Sequence, residues 1–227
     1  MPTALEKARQ TPDSVKTRIL SAARKLFGEY GFHGVTTRMI AKEVGIDIST
    51  LHYHWGDKQN LYESVLTDLS DEIHHKLVEI ETLVQGKPLA VRLDVAIEVM
   101  CDYLLENPDS ANLLLFSHFS KNRITSEVEA HITRHLTNIA VAMGLAVDKD
   151  HVAPQAHARV LAVWNAVINF AAGENFFRPL LKIDTQSYAA VVKETLKFIL
   201  IPAFTLAKGG TEEWPSTSMP SAKNSAP

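Results

Sequence analysis

Apolar residues recur along this chain every three or four positions, in long segments that Gly and Pro seldom interrupt. Val15, Ile19, Ala22, Ala23, Leu26 and Phe27 lie on one helical face, behind Asp13 or Ser14 as N-cap and ahead of Gly31 and Gly34 as terminators. Thr36 caps a short second helix whose apolar face is Met39, Ile40 and Val44. Gly45, free to take a positive φ, turns the chain into a third short helix from about Ile48 to Tyr53. Asp57 then caps a long helix from Lys58 to about Val84, with Leu61, Val65, Leu69, Ile73, Leu77 and Ile80 inward.

The remaining segments run from Pro88 to Glu106, Pro108 to Ser120, Thr125 or Ser126 to Met143, Asp150 or Pro154 to Phe177, and Asp184 to Leu206 with a kink at Pro202. The pattern predicts about nine helices in an all-α fold: a three-helix N-terminal helix-turn-helix unit followed by a helical body. No Asn-Gly or Asp-Gly hairpin turn occurs. The expected division is 1–60, 61–207, and a disordered tail at 208–227 that holds two Gly, three Pro and four Ser.

Composition narrows the possibilities. At 227 residues the chain can bury a core without staples, and its single cysteine, Cys101, excludes an internal disulfide and a Cys-based zinc site. The net charge of −3 is uneven: residues 1–60 hold nine Lys/Arg and six acids, so the N-terminal piece is +3 on an acidic body. A basic piece of that kind suits an anionic partner. The longest apolar run, Phe198 to Leu206, is nine residues and holds Pro202, too short to cross a bilayer. Residues 1–10 lack the apolar stretch of a secretory signal, so a cytoplasmic address and no membrane partner are expected.

Thr36 to Tyr53 reads as helix, turn, helix, the unit whose second helix fits the DNA major groove. The stretch from Thr36 to Lys58, TTRMIAKEVGIDISTLHYHWGDK, resembles the DNA-binding domain of the tetracycline-repressor (TetR/AcrR) family, as does Ile19 to Phe32, ILSAARKLFGEYGF. The resemblance covers about residues 14–65; beyond them it is architectural. It implies a homodimeric transcription regulator. In the family each subunit places its third helix in a major groove of an operator, and the body dimerises through its last two helices and holds a small-molecule pocket.

Individual residues fit in part. Thr36 is an N-cap or a contact. Thr37 and Arg38 open the second helix, where free N–H groups suit phosphate; in the family the position of Thr37 contacts phosphate and that of Arg38 can reach a base. Ser49, Thr50 and His52 are short polar readers, and Ile48 suits a thymine methyl. Tyr53 and His54 match the family's aromatic–histidine phosphate contacts, and Lys58 is placed to hold phosphate. His52 departs from the Tyr usual there, and no Arg or Lys lies between Gly45 and Trp55, so strong guanine reading from the third helix is not expected. Trp55 reads as a hydrophobic plug, and Phe27, Phe32 and Leu51 as core.

In the body, the run from Val160 to Ala172 is apolar almost all round, which predicts burial on most sides. Asn165 and Asn169 share one face there and need partners, across a dimer, with each other or with a ligand; Ile168 lies between them. Met100, Tyr103, Leu104, Phe116, Phe119 and Trp164 are large side chains on the helices that surround the family's cavity. They suit a small, largely apolar effector. Glu127, His131 and His135 share a helix face at metal-ligand spacing but serve equally as solvated residues, as do His74, His75 and Glu79; no metal and no cofactor is assigned. There is no G-x-S-x-G, phosphate loop, H-E-x-x-H or dinucleotide fingerprint, so no enzyme is expected. The alternatives are an activator using the same motif and a helical protein-interaction module.

Overall fold

The structure is a computed structural model that describes residues 3–11, 13–119 and 126–205, without the side chains of Phe119, residues 126–128 and His131. Among them all regular structure is α-helical. The helices are α1 (Ala4–Gln10), α2 (Val15–Gly34), α3 (Thr37–Val44), α4 (Ile48–Trp55), α5 (Lys58–Val84), α6 (Leu89–Glu106), α7 (Pro108–Phe119), α8 (Ser126–Ala142), α9 (Pro154–Ala172), α10 (Glu174–Leu181) and α11 (Thr185–Thr205). The expected tail at 208–227 lies outside the described residues.

The count is eleven rather than about nine, for two local reasons. Thr3 and Glu6 form a reciprocal capping box, 3.1 Å from Glu6 N to Thr3 Oγ1 and 2.6 Å from Thr3 N to Glu6 Oε2. This starts α1, whose Leu5 and Ala8 are buried. Two buried residues in a seven-residue helix are too few for a periodic signal. The segment expected to run unbroken to Phe177 ends instead at Gly173, which caps α9 by donating to Asn169 O at 2.9 Å and opens α10. A Cβ at Gly173 would lie 2.3 Å from the Phe177 ring, so only glycine fits this corner.

Three apolar clusters form the interior. The first joins α1 to α4, the first half of α5 and Leu113 of α7, with Ile19, Phe27, Ile40, Leu51 and Leu61 fully buried. Phe27 packs edge-on to Tyr62 at 5.0 Å and beside Phe32 at 6.2 Å. The second gathers Ile80, Ile97, Leu104, Ile168, Tyr188 and Leu196 from α5, α6, α9 and α11. The third joins Leu93, Ala140, Met143, Ala156 and Val160. Helix α5, about 40 Å long at 1.5 Å per residue, passes from the first cluster into the second.

Two charged ladders fix the helices laterally. Asp94, Glu98 and Asp102 lie at successive turns of α6 and face Lys193 and Lys197 of α11, with N–O distances of 2.5–2.8 Å. At the other end Arg9 of α1 bonds Asp68 and Asp71 of α5, both at 2.8 Å.

Candidate nucleic-acid interface and cavity

The turn between α3 and α4 is built by Gly45 at φ 74, ψ 41. Ile46 N donates to Ala41 O at 3.0 Å and Gly45 N to Lys42 O at 3.2 Å, the paired bonds of a Schellman stop. Arg18 of α2 donates from Nη2 to Val44 O, satisfying another terminal carbonyl of α3. Thr36 caps α3 by accepting from Met39 N at 3.2 Å. Leu51 and Trp55, fully and almost fully buried, anchor the inner face of α4 against this core.

The outer face of α4 is open. Ile48, Ser49, His52 and Tyr53 are exposed, Tyr53 to 85%, while Thr50 and His54 are half-buried. Arg38 is exposed on α3 and Thr37 half-buried beside it. His52 Nδ1 lies 2.6 Å from Gly56 O; a carbonyl only accepts, so Nδ1 carries the proton and Nε2 is left for another partner. The His54 imidazolium is disfavoured, first by burial and then by the charge of Lys16.

Lys58 sits differently from the expected phosphate contact. Its Nζ donates to Phe32 O at 3.0 Å and Val35 O at 2.9 Å and lies 4.2 Å from the Phe32 ring centroid. It ties the start of α5 to the end of α2 and to Val35 just beyond it.

A cavity of about 330 Å³ lies between α5, α6, α8 and α9. Met100 and Trp164 line it. The other expected pocket residues are placed elsewhere. Tyr103 donates from its hydroxyl to Glu72 Oε2 at 2.8 Å. Leu104 and Ile168 are fully buried within the second cluster. Phe116 is 41% exposed and lies against Gly31. Asn165 and Asn169 are exposed, and Asn165 Nδ2 donates to Leu161 O at 2.8 Å. The face of α9 expected to be buried all round is thus open at Leu161, Ala162, Asn165 and Asn169 in a single chain. The Phe119, Glu127 and His131 side chains lie outside the described residues. Among those described, no group of three or more His, Cys, Asp or Glu could hold a metal ion. No described helix is long and apolar enough to cross a membrane.

The sequence pattern of bacterial regulatory proteins of the tetR family matches residues 19–65, the segment that builds this helix-turn-helix. Over that segment the chain is similar to the tetR family. The HTH-type transcriptional regulator UidR of Escherichia coli (strain K12) is 39% identical over 51 residues, 22% of this chain and 26% of UidR. That match spans about a quarter of the relative's length. Similarity over the body is one of fold. The structure of AibR in complex with isovaleryl coenzyme A and operator DNA superposes with a TM-score of 0.65 at 15% identity, over 82% of this chain and 97% of AibR. The transcriptional regulator FadR from Bacillus subtilis in complex with stearoyl-CoA gives 0.58 at 14%, over 79% of this chain and 96% of FadR.

Reading His74 and His135 only as metal-spaced or solvated residues, sequence reasoning misses the polar side chains of the cavity. Arg92, Asn138, His74 and His135 all line it. The signal was present in α6, where Arg92 interrupts an apolar face made of Leu89, Leu93, Ala96 and Met100.

Proposed function

We propose that the protein is a ligand-responsive DNA-binding transcriptional regulator, in its simplest form a repressor. It binds a near-palindromic operator as a homodimer and is released by a small, largely apolar effector. The carrying observation is the open outer face of α4, set by a Schellman turn against α3, inside the segment that matches the tetR family. Residues 1–60 serve as the DNA-binding unit and 61–207 as the ligand-binding and dimerisation unit. The setting is cytoplasmic, with no membrane partner.

Contacts are assigned by reach. Arg38, Ser49, His52 and Tyr53 are exposed and meet DNA first, with Ile48 against a methyl group. Thr36, Thr37, Thr50 and His54 supply shorter-range contacts. Lys58 acts through the loop it holds. Dimerisation uses α9 and α11, where Leu161, Val191, Phe198 and Ile199 stand exposed. Pairing them about a two-fold axis makes a four-helix interface and covers Asn165 and Asn169.

The effector occupies the cavity beside Met100 and Trp164. Two of its walls, α5 and α6, carry Glu72 and Tyr103, which bond to each other and, through Glu72, to Arg24 of α2. Displacing α6 therefore acts on the helix that supports α3 and α4. Moving the dimer from 99:1 to 1:99 takes about 5.5 kcal/mol of differential ligand binding, shared between two sites.

The test is selection of genomic fragments by purified protein at about 150 mM salt, with sequencing of the retained DNA. An enriched near-palindrome supports the reading. No enrichment, before and after unfolding and refolding free of ligand, contradicts it.

A further inference from the structure

The cavity is apolar over most of its lining, with Leu93, Ile97, Met100, Val163 and Trp164 among its walls. Arg92 is the exception that constrains its ligand. Of the three half-buried arginines in the described residues, Arg24 and Arg178 have carboxylate partners, Glu72 and Glu174. The Arg92 guanidinium makes no ion pair and no hydrogen bond with any described residue. A partly desolvated, unpaired charge is costly to keep in a fold, and replacing it with an apolar side chain of similar size is ordinarily neutral or stabilising.

A second polar group points the same way. The side-chain amide of Asn138 lines the cavity, and its buried Oδ1 has no hydrogen-bond partner among the described residues. Either orientation of that amide leaves one buried polar atom to be satisfied. Lys149, exposed, adds a second cation to the lining, and Glu81, also exposed, the one carboxylate; neither is ion-paired among the described residues. The His74 and His135 rings, 4.7 Å apart, complete the polar portion. With the histidines neutral, two cations against one acid leave the lining at net +1.

We infer that the cavity binds an amphiphilic carboxylate, its head on Arg92 and Asn138 and its apolar chain against Met100 and Trp164. The planar guanidinium fork matches a carboxylate in two parallel hydrogen bonds, which a neutral alcohol cannot reproduce. This deepens the effector reading above and rests on it.

Calorimetric titration of the full chain with decanoate and with 1-decanol tests the assignment, since the two share a chain and differ in head charge. The expected result is decanoate binding about tenfold or more tightly than decanol. Arg92→Met removes that preference and Arg92→Lys keeps part of it. Unliganded Arg92→Met melts at or above the wild-type temperature. Equal binding of the two probes, or a decanoate preference that survives Arg92→Met, overturns the carboxylate assignment and leaves the effector cavity standing. A lower melting temperature in Arg92→Met with the preference intact assigns Arg92 to the fold and also overturns it. Binding of neither probe removes both the carboxylate and the effector reading, while the DNA selection above is unaffected.

Discussion

Arg24 of α2 and Glu72 of α5 are joined by two parallel bonds, Nη1 to Oε1 at 2.5 Å and Nη2 to Oε2 at 2.6 Å. The pair is not isolated: Arg24 Nη2 also donates to Ser110 Oγ at 2.7 Å, and the Tyr103 hydroxyl to Glu72 Oε2 at 2.8 Å. Four helices, α2, α5, α6 and α7, thus meet at one polar knot beside the first apolar cluster. Burial alone would raise the Glu72 pKa, but the bonds from Arg24 and Tyr103 outweigh it and the net shift is downward. Tyr103 is pushed up to about 12, by burial first and then by Glu72.

Breaking this knot from one side is expected to destabilise the protein. Arg24→Met leaves Ser110 without its donor and Glu72 with Tyr103 alone, at about 1–3 kcal/mol, kept to that range because the Glu72 side chain is 40% exposed. Tyr103→Phe removes one bond, at about 1 kcal/mol. Urea titration of both variants measures the losses, and a wild-type midpoint in Arg24→Met would contradict the account.

Acid should loosen the same contacts. Glu72 and Glu98 both have folded pKa values below their ordinary 4.5, Glu98 chiefly through bonds from Lys193 and Lys197. Their contribution is fully present above that ordinary value and is lost as pH falls through the lower folded values. The lysines run oppositely. Burial works against their charge, but Glu98 with Asp102 or Asp94 outweighs it and raises them above 10.5, so their contribution lasts up to that value and fades as pH climbs past it. A plot of melting temperature against pH should be level through neutrality and fall at both ends. Glu98→Gln should flatten part of the acid limb; an unchanged limb would count against the α6–α11 ladder.

At Gly28, α2 lies close against the backbone of α7. A Cβ there would lie 2.7 Å from Asp109 O and 3.0 Å from Asp109 Cα, backbone atoms that cannot swing aside. Gly28→Ala, although it favours the helix locally, is expected to cost about 1–3 kcal/mol through overpacking. Thermal unfolding decides it, since a gain in melting temperature would mean that the helices part easily.

Helix-level architecture was largely legible in sequence, and the site only in part. Thr36 and Asp57 cap as the pattern predicts, and Ser14 rather than Asp13 caps α2, because each hydroxyl or carboxylate precedes a periodic segment and accepts from the backbone N–H three residues on. The long apolar run predicts a helix through Gly173 because it masks the local effect of the Phe177 ring. Position in a motif places Lys58 toward phosphate, but where an ammonium points depends on acceptors distant in sequence, here Phe32 O and Val35 O. The apolar run predicts buried amides at Asn165 and Asn169 because periodicity cannot distinguish a face covered by the same chain from one left for another.

Lys58 gives a prediction that separates its two roles. Lys58→Met removes two bonds to backbone carbonyls and is expected to cost about 1–3 kcal/mol in stability. The salt dependence of DNA binding should change little. A direct phosphate contact would instead reduce the log–log salt slope by about 0.9 with stability intact.

The central claim is that the outer face of α4 lies on DNA, and Ser49→Glu tests it most directly. Ser49 is exposed in the first turn of α4, where a carboxylate suits the helix dipole, so the fold should be retained. The measurement is the dissociation constant for a selected genomic fragment, wild type against Ser49→Glu, with melting temperature as control. The expected result is a loss of affinity of about a hundredfold or more at unchanged melting temperature, from placing a carboxylate against phosphate and base edges. Wild-type affinity in the folded variant would place DNA elsewhere and contradict the account.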